Sequence, residues 1–169
     1  MNNLSLKDQK GFTLVELLIV IAIIAILAAI VYVALDPGTR FADARDARRA
    51  ADIVGVLHGA KIDQIDNGGD YLTTINALTA DAVYMIGTAT TGCDDDNANC
   101  DTNVTADTSC VNIAGLATEG YIGEVPISPA GDVAWNAGYT GYTLTKTAAG
   151  TLKMRSCESE NTTEIFSVR

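Results

Sequence analysis

One carboxylate stands inside an apolar run: Glu16 in "KGFTLVELLIVIAIIAILAAIVYVAL", Lys10 to Leu35. A carboxylate within a membrane helix costs a few kcal/mol on insertion scales, so such a residue is expected to have a partner and usually a function. A second set of reactive groups lies further on, in the four cysteines Cys93, Cys100, Cys110 and Cys157. They show no CxxC pair and have only a distant lone histidine, His58, which argues against zinc; an even count favours two disulfides. Between the first two cysteines, Asp94, Asp95, Asp96, Asn97, Asn99 and, just after Cys100, Asp101 supply the hard oxygens that calcium prefers. The glycine and bidentate glutamate of an EF-hand loop are missing, so the stretch reads as a solvated acidic loop, with Asp94, Asp96 and Asp101 as the residues that would take calcium. No Ser, His and Asp grouping and no glycine-rich phosphate loop stands out, so the chain offers an enzyme little to work with.

These groups are carried by one folded unit's worth of chain. At 169 residues there is room for a long helix plus one globular domain. The net charge of -10 repels phosphate backbones, so nucleic acid is not an expected partner. From Phe12 to Leu35 the only polar groups are those of Thr13, Glu16 and Tyr32, and these 24 residues make a helix of roughly 36 Å, long enough to span a bilayer. The preceding "MNNLSLKDQK" is polar, with Lys7 and Lys10 close to the apolar start, which places it in the cytoplasm and sends the remainder outward.

Asp36 before Pro37 predicts a kink or short break. Beyond it, Phe41, Ala44, Ala47, Ala51, Val54, Leu57 and Ile65 recur at mostly three- and four-residue intervals, with Asp43, Asp46, Arg48, Arg49 and Asp52 mainly elsewhere. That spacing predicts an amphipathic helix stopped by "NGGD", Asn67 to Asp70. Gly55 and Gly59 inside it suggest a close approach by a sheet, and His58 between them reads as a half-buried packing residue. A short helical turn follows residue 110, and "GYIGEVPISP" is expected to cross into a sheet with Pro126 and Pro129 near its edge. A hairpin with strands near Tyr139–Thr147 and Thr151–Cys157 turns about Ala148, Ala149 and Gly150, and "TEIFSV" forms a last strand. Tyr139 and Tyr142 are read as sheet packing. The sequons at Asn103 and Asn161 are not expected to carry glycans. Of the three possible cysteine pairings, Cys93 with Cys100 and Cys110 with Cys157 is the expected one; it closes a small acidic loop and fastens a late strand.

The segment "KGFTLVELLIVIAIIAILAAI" resembles the class III signal of type IV pilins and of the pseudopilins of type II secretion and competence systems. The resemblance implies that a membrane peptidase cuts after Gly11 and methylates the new amino terminus at Phe12. Glu16, the fifth residue of the mature chain, then pairs with the Phe12 amino group of a neighbouring subunit during assembly. It implies an α+β fold, in which a long N-terminal helix, with a membrane or filament-core half and an amphipathic half, packs on a small antiparallel β-sheet. The expected divisions are a leader at 1–11, a filament-core helix at 12–35, its amphipathic continuation at 36–66, and an extracytoplasmic β domain at 67–169 with a disulfide-stapled loop at 87–112. "EGYIGEVPISP" and "GYTGYTLTK" also resemble the globular half of bacterial pilins and pseudopilins. Implied partners are further copies in a helical filament, the prepilin peptidase and methyltransferase, and an inner-membrane assembly platform driven by an ATPase. The implied location is the cytoplasmic membrane before assembly, then an extracellular pilus or a periplasmic or wall-spanning pseudopilus.

Three functions compete on these residues. A pilus subunit is favoured over a pseudopilin by the long stapled loop and by the lack of a match to the pseudopilin calcium loop near the carboxyl end. A minor subunit or membrane-anchored protein using its acidic loop to bind a ligand or calcium is the second class. A signal-anchored enzyme is disfavoured, and no cofactor is expected, calcium being the one candidate weighed.

Overall fold

The computed structural model describes residues 11–95, 97–105, 109–129, 131 and 133–169. Most of the expected leader and Asp96 of the acidic loop therefore lie outside the described residues. The described chain divides into two compact units, one ending at Arg40 and one running from Phe41 to Arg169.

The first unit contains helix α1, Leu14–Leu35, in which no residue is buried. It is long and apolar enough to cross a membrane. At its end Asp36 takes a left-handed conformation with φ +37°, which terminates the helix, and Pro37 starts α2, Pro37–Asp66. Proline suits a first helical position because its missing N–H has no intrahelical partner to lose. The Asp36 carboxylate accepts a 2.6 Å bond from the Thr39 hydroxyl at this new start. The expected break is thus a single residue long.

In the second unit, α2 packs on a sheet whose four strands run in chain order, all antiparallel: β1 Val83–Met85, β2 Tyr142–Lys146, β3 Leu152–Ser156 and β4 Phe166–Val168. Two short helices, α3 Thr73–Asn76 and α4 Ala114–Thr118, close the gaps. Alternation along β2 and β3 turns Tyr142, Leu144, Leu152 and Met154 toward Ile53, Val56, Leu57 and Ala60 of α2, with Ile75 and Leu116 completing this core. A smaller cluster of Met85, Cys93, Val104, Trp135 and Cys157 forms on the opposite side of the sheet, where the loop after β1 folds back. The hairpin turn is where the sequence places it, with Gly150 at φ +80°. "GYIGEVPISP" contributes no strand; it runs as irregular chain, attached to the sheet region by the Ser128 N–H bond to Thr140 O. Prolines at 126 and 129 withhold the donors a ladder needs.

The face of α2 that meets the sheet is not the one its apolar periodicity predicts. Leu57 is buried, but Phe41, Ala44, Ala47, Ala51, Val54 and Ile65 are exposed, and the buried stripe includes Asp46, Arg49 and Asp63. Charged residues can occupy a core position when they are paired and hydrogen-bonded. Arg49, with no exposed side-chain surface, bonds Asp46 at 2.8 Å, Glu160 at 2.7 Å, Glu158 at 3.3 Å, the Ser128 hydroxyl at 3.1 Å and Pro129 O at 3.1 Å. Arg45 adds a two-pronged pair to Glu160. Asp46 also accepts the Glu160 and Asn161 N–H groups, and Glu158 takes the Trp135 indole and Val133 N–H. This network ties the chain after β3 to the helix.

Gly59 reflects a close approach, though by irregular chain and not by the sheet. A Cβ there would fall 2.4 Å from an Ile122 methyl and 2.9 Å from Tyr121 O. His58, expected half-buried, is exposed. Tyr142 is fully buried and its hydroxyl donates to Asp52 at 2.7 Å, whereas Tyr139 lies outside the strands and donates to Thr91 O.

The Arg45 guanidinium holds the Glu160 carboxyl down to about 2 against the cost of burial, with Arg49 contributing further. For Asp46 burial pushes the pKa up, but the N–H groups of Asn161 and Glu160 and the Arg49 side chain outweigh it and leave the pKa below the ordinary value. Carboxyls with depressed folded pKa values bind fewer protons folded than unfolded, so their contribution is present above the ordinary 4.5 and is lost as pH falls toward about 2. Thermal melts across this range should show a falling midpoint below about pH 4.5, and Glu160→Gln should flatten that fall. Arg49→Ala leaves buried carboxylates without their cation and is expected to cost about 3–5 kcal/mol in denaturant titrations.

Candidate functional site

The residues singled out near the amino terminus are brought together by the start of α1. Gly11 is exposed, and nothing lies within 4 Å of where a Cβ would stand. Phe12 is 91% exposed, so neither residue owes its identity to packing among the described residues. Thr13, extended at φ -78° and ψ 152°, is the N-cap of α1. Its hydroxyl accepts the Glu16 N–H at 3.2 Å, while the Glu16 carboxylate reaches back to accept the Thr13 N–H and hydroxyl, each at 2.8 Å. This is a reciprocal capping box, which satisfies donors that every helix start leaves open. The threonine-x-x-glutamate spacing that encodes it is plain in the sequence but is masked by reading Glu16 only as a misfit in search of a distant partner.

The box changes the chemistry available to Glu16. Both accepted bonds fall on Oε2, which leaves Oε1 for a further donor. A negative side chain in the first turn also suits the positive end of the helix dipole. The carboxylate is therefore held at a fixed height on a helix whose other first-turn side chains, Leu14, Val15 and Leu17, are apolar and exposed.

The stapled loop is the second candidate. Its disulfides are Cys93–Cys110 and Cys100–Cys157, not the expected Cys93–Cys100 and Cys110–Cys157. The reason is non-local. Gly87 donates to Val111 O and Cys110 donates to Ala89 O, which lays the chain at 110 alongside the chain at 87–89 and brings Cys110 to Cys93. The 3₁₀ turn Asn97–Asn99 then carries Cys100 to the end of β3, where Asp101 donates to Cys157 O at 2.7 Å. The small acidic loop is thus fastened to the sheet instead of closing on itself. Asn97 fixes its inner side by exchanging two bonds with Val104.

Of the proposed calcium residues, Asp101 accepts the Ser159 hydroxyl at 2.6 Å and Asp94 is half-buried. Among the described residues, no group of three or more His, Cys, Asp or Glu side chains is placed to hold a metal ion. An open polar cavity of about 470 Å³ lies beside the loop, lined by Arg45, Asn99, Asp101, Glu158, Ser159 and Glu160 among others. Its charged groups are largely those of the Arg49 network.

Residues 6–32 match the family model described as the prokaryotic N-terminal methylation motif. That motif is the class III signal peptide of type IV pilins and pseudopilins, and it points to a pilin-like or pseudopilin structural subunit. The motif implies processing by a prepilin peptidase and assembly into a filament. No curated protein and no solved structure matches the chain.

Closing loops of 17 and 57 residues removes chain entropy worth about 3 and about 4 kcal/mol respectively, less where the loops interleave. Reduction should therefore lower the melting temperature of the full chain markedly, and Cys100→Ser with Cys157→Ser should lower it more than Cys93→Ser with Cys110→Ser; equal melting of oxidised and reduced protein would contradict this.

Proposed function

We propose that the protein is a structural subunit, the major pilin, of a type IV pilus-like filament. It is inserted by α1, cleaved after Gly11, N-methylated at Phe12, and assembled by exchanging lipid around α1 for the helices of other copies. The observation that carries the proposal is a 22-residue apolar helix with no buried residue, opened by a Thr13–Glu16 box one residue after the expected new terminus. Such a helix needs either lipid or other helices around it.

Cleavage turns the Phe12 nitrogen into an ammonium. On a neighbouring copy, Glu16 Oε1 is the acceptor for it, and a copy displaced along the bundle leaves both charges unpaired. The value of the pair lies in this selection of register more than in net stability, since desolvation offsets much of the attraction. Gly11 is read by the peptidase, which accounts for a glycine that no described contact requires. The disulfide-stapled loop suits a subunit displayed outside the cell, where oxidising conditions keep such bonds closed.

A pseudopilin or minor subunit is distinguished by location. Mass spectrometry of the amino terminus should find N-methylated Phe12 as the dominant species in filaments sheared from cells. Processed protein confined to membranes favours the pseudopilin or minor subunit, and an uncut Met1 chain in both fractions refutes the proposal. Glu16→Gln retains a capping side chain but removes the charge. It should be cleaved normally yet lower sheared filament at least about tenfold, as expected for losing a charge pair worth 1.4 kcal/mol or more; wild-type yield would exclude the ion pair.

A further inference from the structure

The two edges of the sheet are finished differently. On β4, the reciprocal bonds between Leu152 and Arg169 and the Ser156 N–H bond to Ile165 O fix which main-chain groups turn toward β3. Antiparallel alternation then points the N–H and C=O of Phe166 and Val168 away from the sheet. Val83 and Met85 hold the equivalent positions on β1, and there the chain covers them. Val83 N–H donates to the Thr105 hydroxyl at 2.8 Å, Val83 O accepts the Thr105 N–H at 3.0 Å, and Met85 O accepts the Val111 N–H at 2.8 Å. Among the described residues nothing does the same for Phe166 or Val168. An edge left in this state is a template for one more strand.

Both faces of the open edge have a chemical character. Strand alternation puts Phe166 and Val168, each 49% exposed, on one face with Lys153 and Arg155. The Lys153 ammonium stands 4.3 Å from the centre of the Phe166 ring. Arg155 is paired with Glu164, whereas Lys153 has no carboxylate in reach among the described residues. Burial and the neighbouring Arg155 both press the Lys153 pKa down, as for a cation without its anion. On the other face an open groove of about 360 Å³ separates Ala47 and Ala50 of α2 from the start of β4 at Ile165.

We propose that β4 is a docking edge for an extended segment of another protein, which adds a fifth strand and carries an acidic residue opposite Val168. The main-chain groups of Phe166 and Val168 take its backbone, and its acid meets Lys153 across Val168. The residue after the acid faces α2, where Ala47 and Ala50 leave room for a small side chain. A second copy of this chain fits the edge poorly. Its β1 edge is already covered, and β4 against β4 about Ser167 would form a row of Lys153, Val168, Phe166 and Arg155, with a cation at each end and no acid between them. The inference stands on the globular unit alone and goes beyond the filament reading, which its failure leaves untouched.

The test titrates blocked synthetic peptides into the full-length chain in detergent micelles. One carries the run Glu-Ala-Val between threonines, the other lysine in place of the glutamate. Hydrogen exchange at the Phe166 and Val168 amides, fast in the free chain, should slow on binding the acidic peptide. That peptide should bind about threefold more tightly than the lysine version, the scale of one exposed ion pair, and Lys153→Glu should reverse the preference. Val168→Pro removes an outward N–H without touching the β3 ladder, so the melting temperature should hold while affinity falls at least about fivefold. Unchanged exchange at both amides, or affinity indifferent to Val168→Pro, would overturn the proposal. Protection of these amides in the chain alone, lost on dilution, would assign the edge to a second copy and overturn it as well. Should Val168→Pro melt early, the Lys153→Glu comparison decides: a preference that does not reverse refutes the docking edge.

Discussion

A cation with no access to water organises the globular unit. Removing Arg49 from solvent would be prohibitive alone, and three carboxylates, a hydroxyl and a carbonyl make it tolerable. These acceptors come from α2 itself, from the chain around Pro129, and from the segment after β3. Good geometry at one guanidinium therefore requires three stretches distant in sequence to be correctly placed at once. Since hydrophobic contacts between α2 and the sheet are tolerant of small slides, the ion network is well suited to set which slide is native. The Cys100–Cys157 bridge reaches the same segment from the other side, so the chain leading into β4 is fixed by charge and by covalent bond.

The elements legible in the sequence are those written in local spacing. The apolar run predicts α1, Asp36–Pro37 predicts the interruption, and the turn at Gly150 predicts the hairpin. The buried face of α2 was hidden because Asp46, Arg49 and Asp63 count as surface residues on any scale of hydrophobicity, and their partners lie roughly a hundred residues away or in the turn that follows. The alanines that do follow a helical period mark the outward face instead. β1, three residues long, carries too little pattern to stand out. Cysteine pairing escaped for a similar reason: it depends on chain paths settled by backbone bonds between residues 87–89 and 110–111. At the amino terminus the sequence draws attention to Glu16 but not to its local geometry, since the capping box assigns Glu16 a partner three residues away.

The division of labour between the two units follows their surfaces. Helix α1 of the first presents apolar side chains almost throughout, Glu16 excepted, and buries none of them. The second holds a complete core, and most of the chain's acids lie in it or on it. An acidic exterior keeps such units soluble and discourages indiscriminate association at high local concentration. Against that background, apolar surface that remains uncovered on α2 is conspicuous, because nothing in the core needed it.

Asp36 and Pro37 have a thermodynamic consequence. Helix formation is cooperative because each turn templates the next through the backbone ladder. A left-handed residue followed by one lacking an N–H interrupts that templating, so α1 and α2 behave as separate cooperative segments joined by a short insulator. Partial unwinding or bending of α1 is therefore not transmitted as melting into the helix that anchors the sheet. The junction acts as a mechanical fuse: it lets the apolar segment adapt while the folded head keeps its shape.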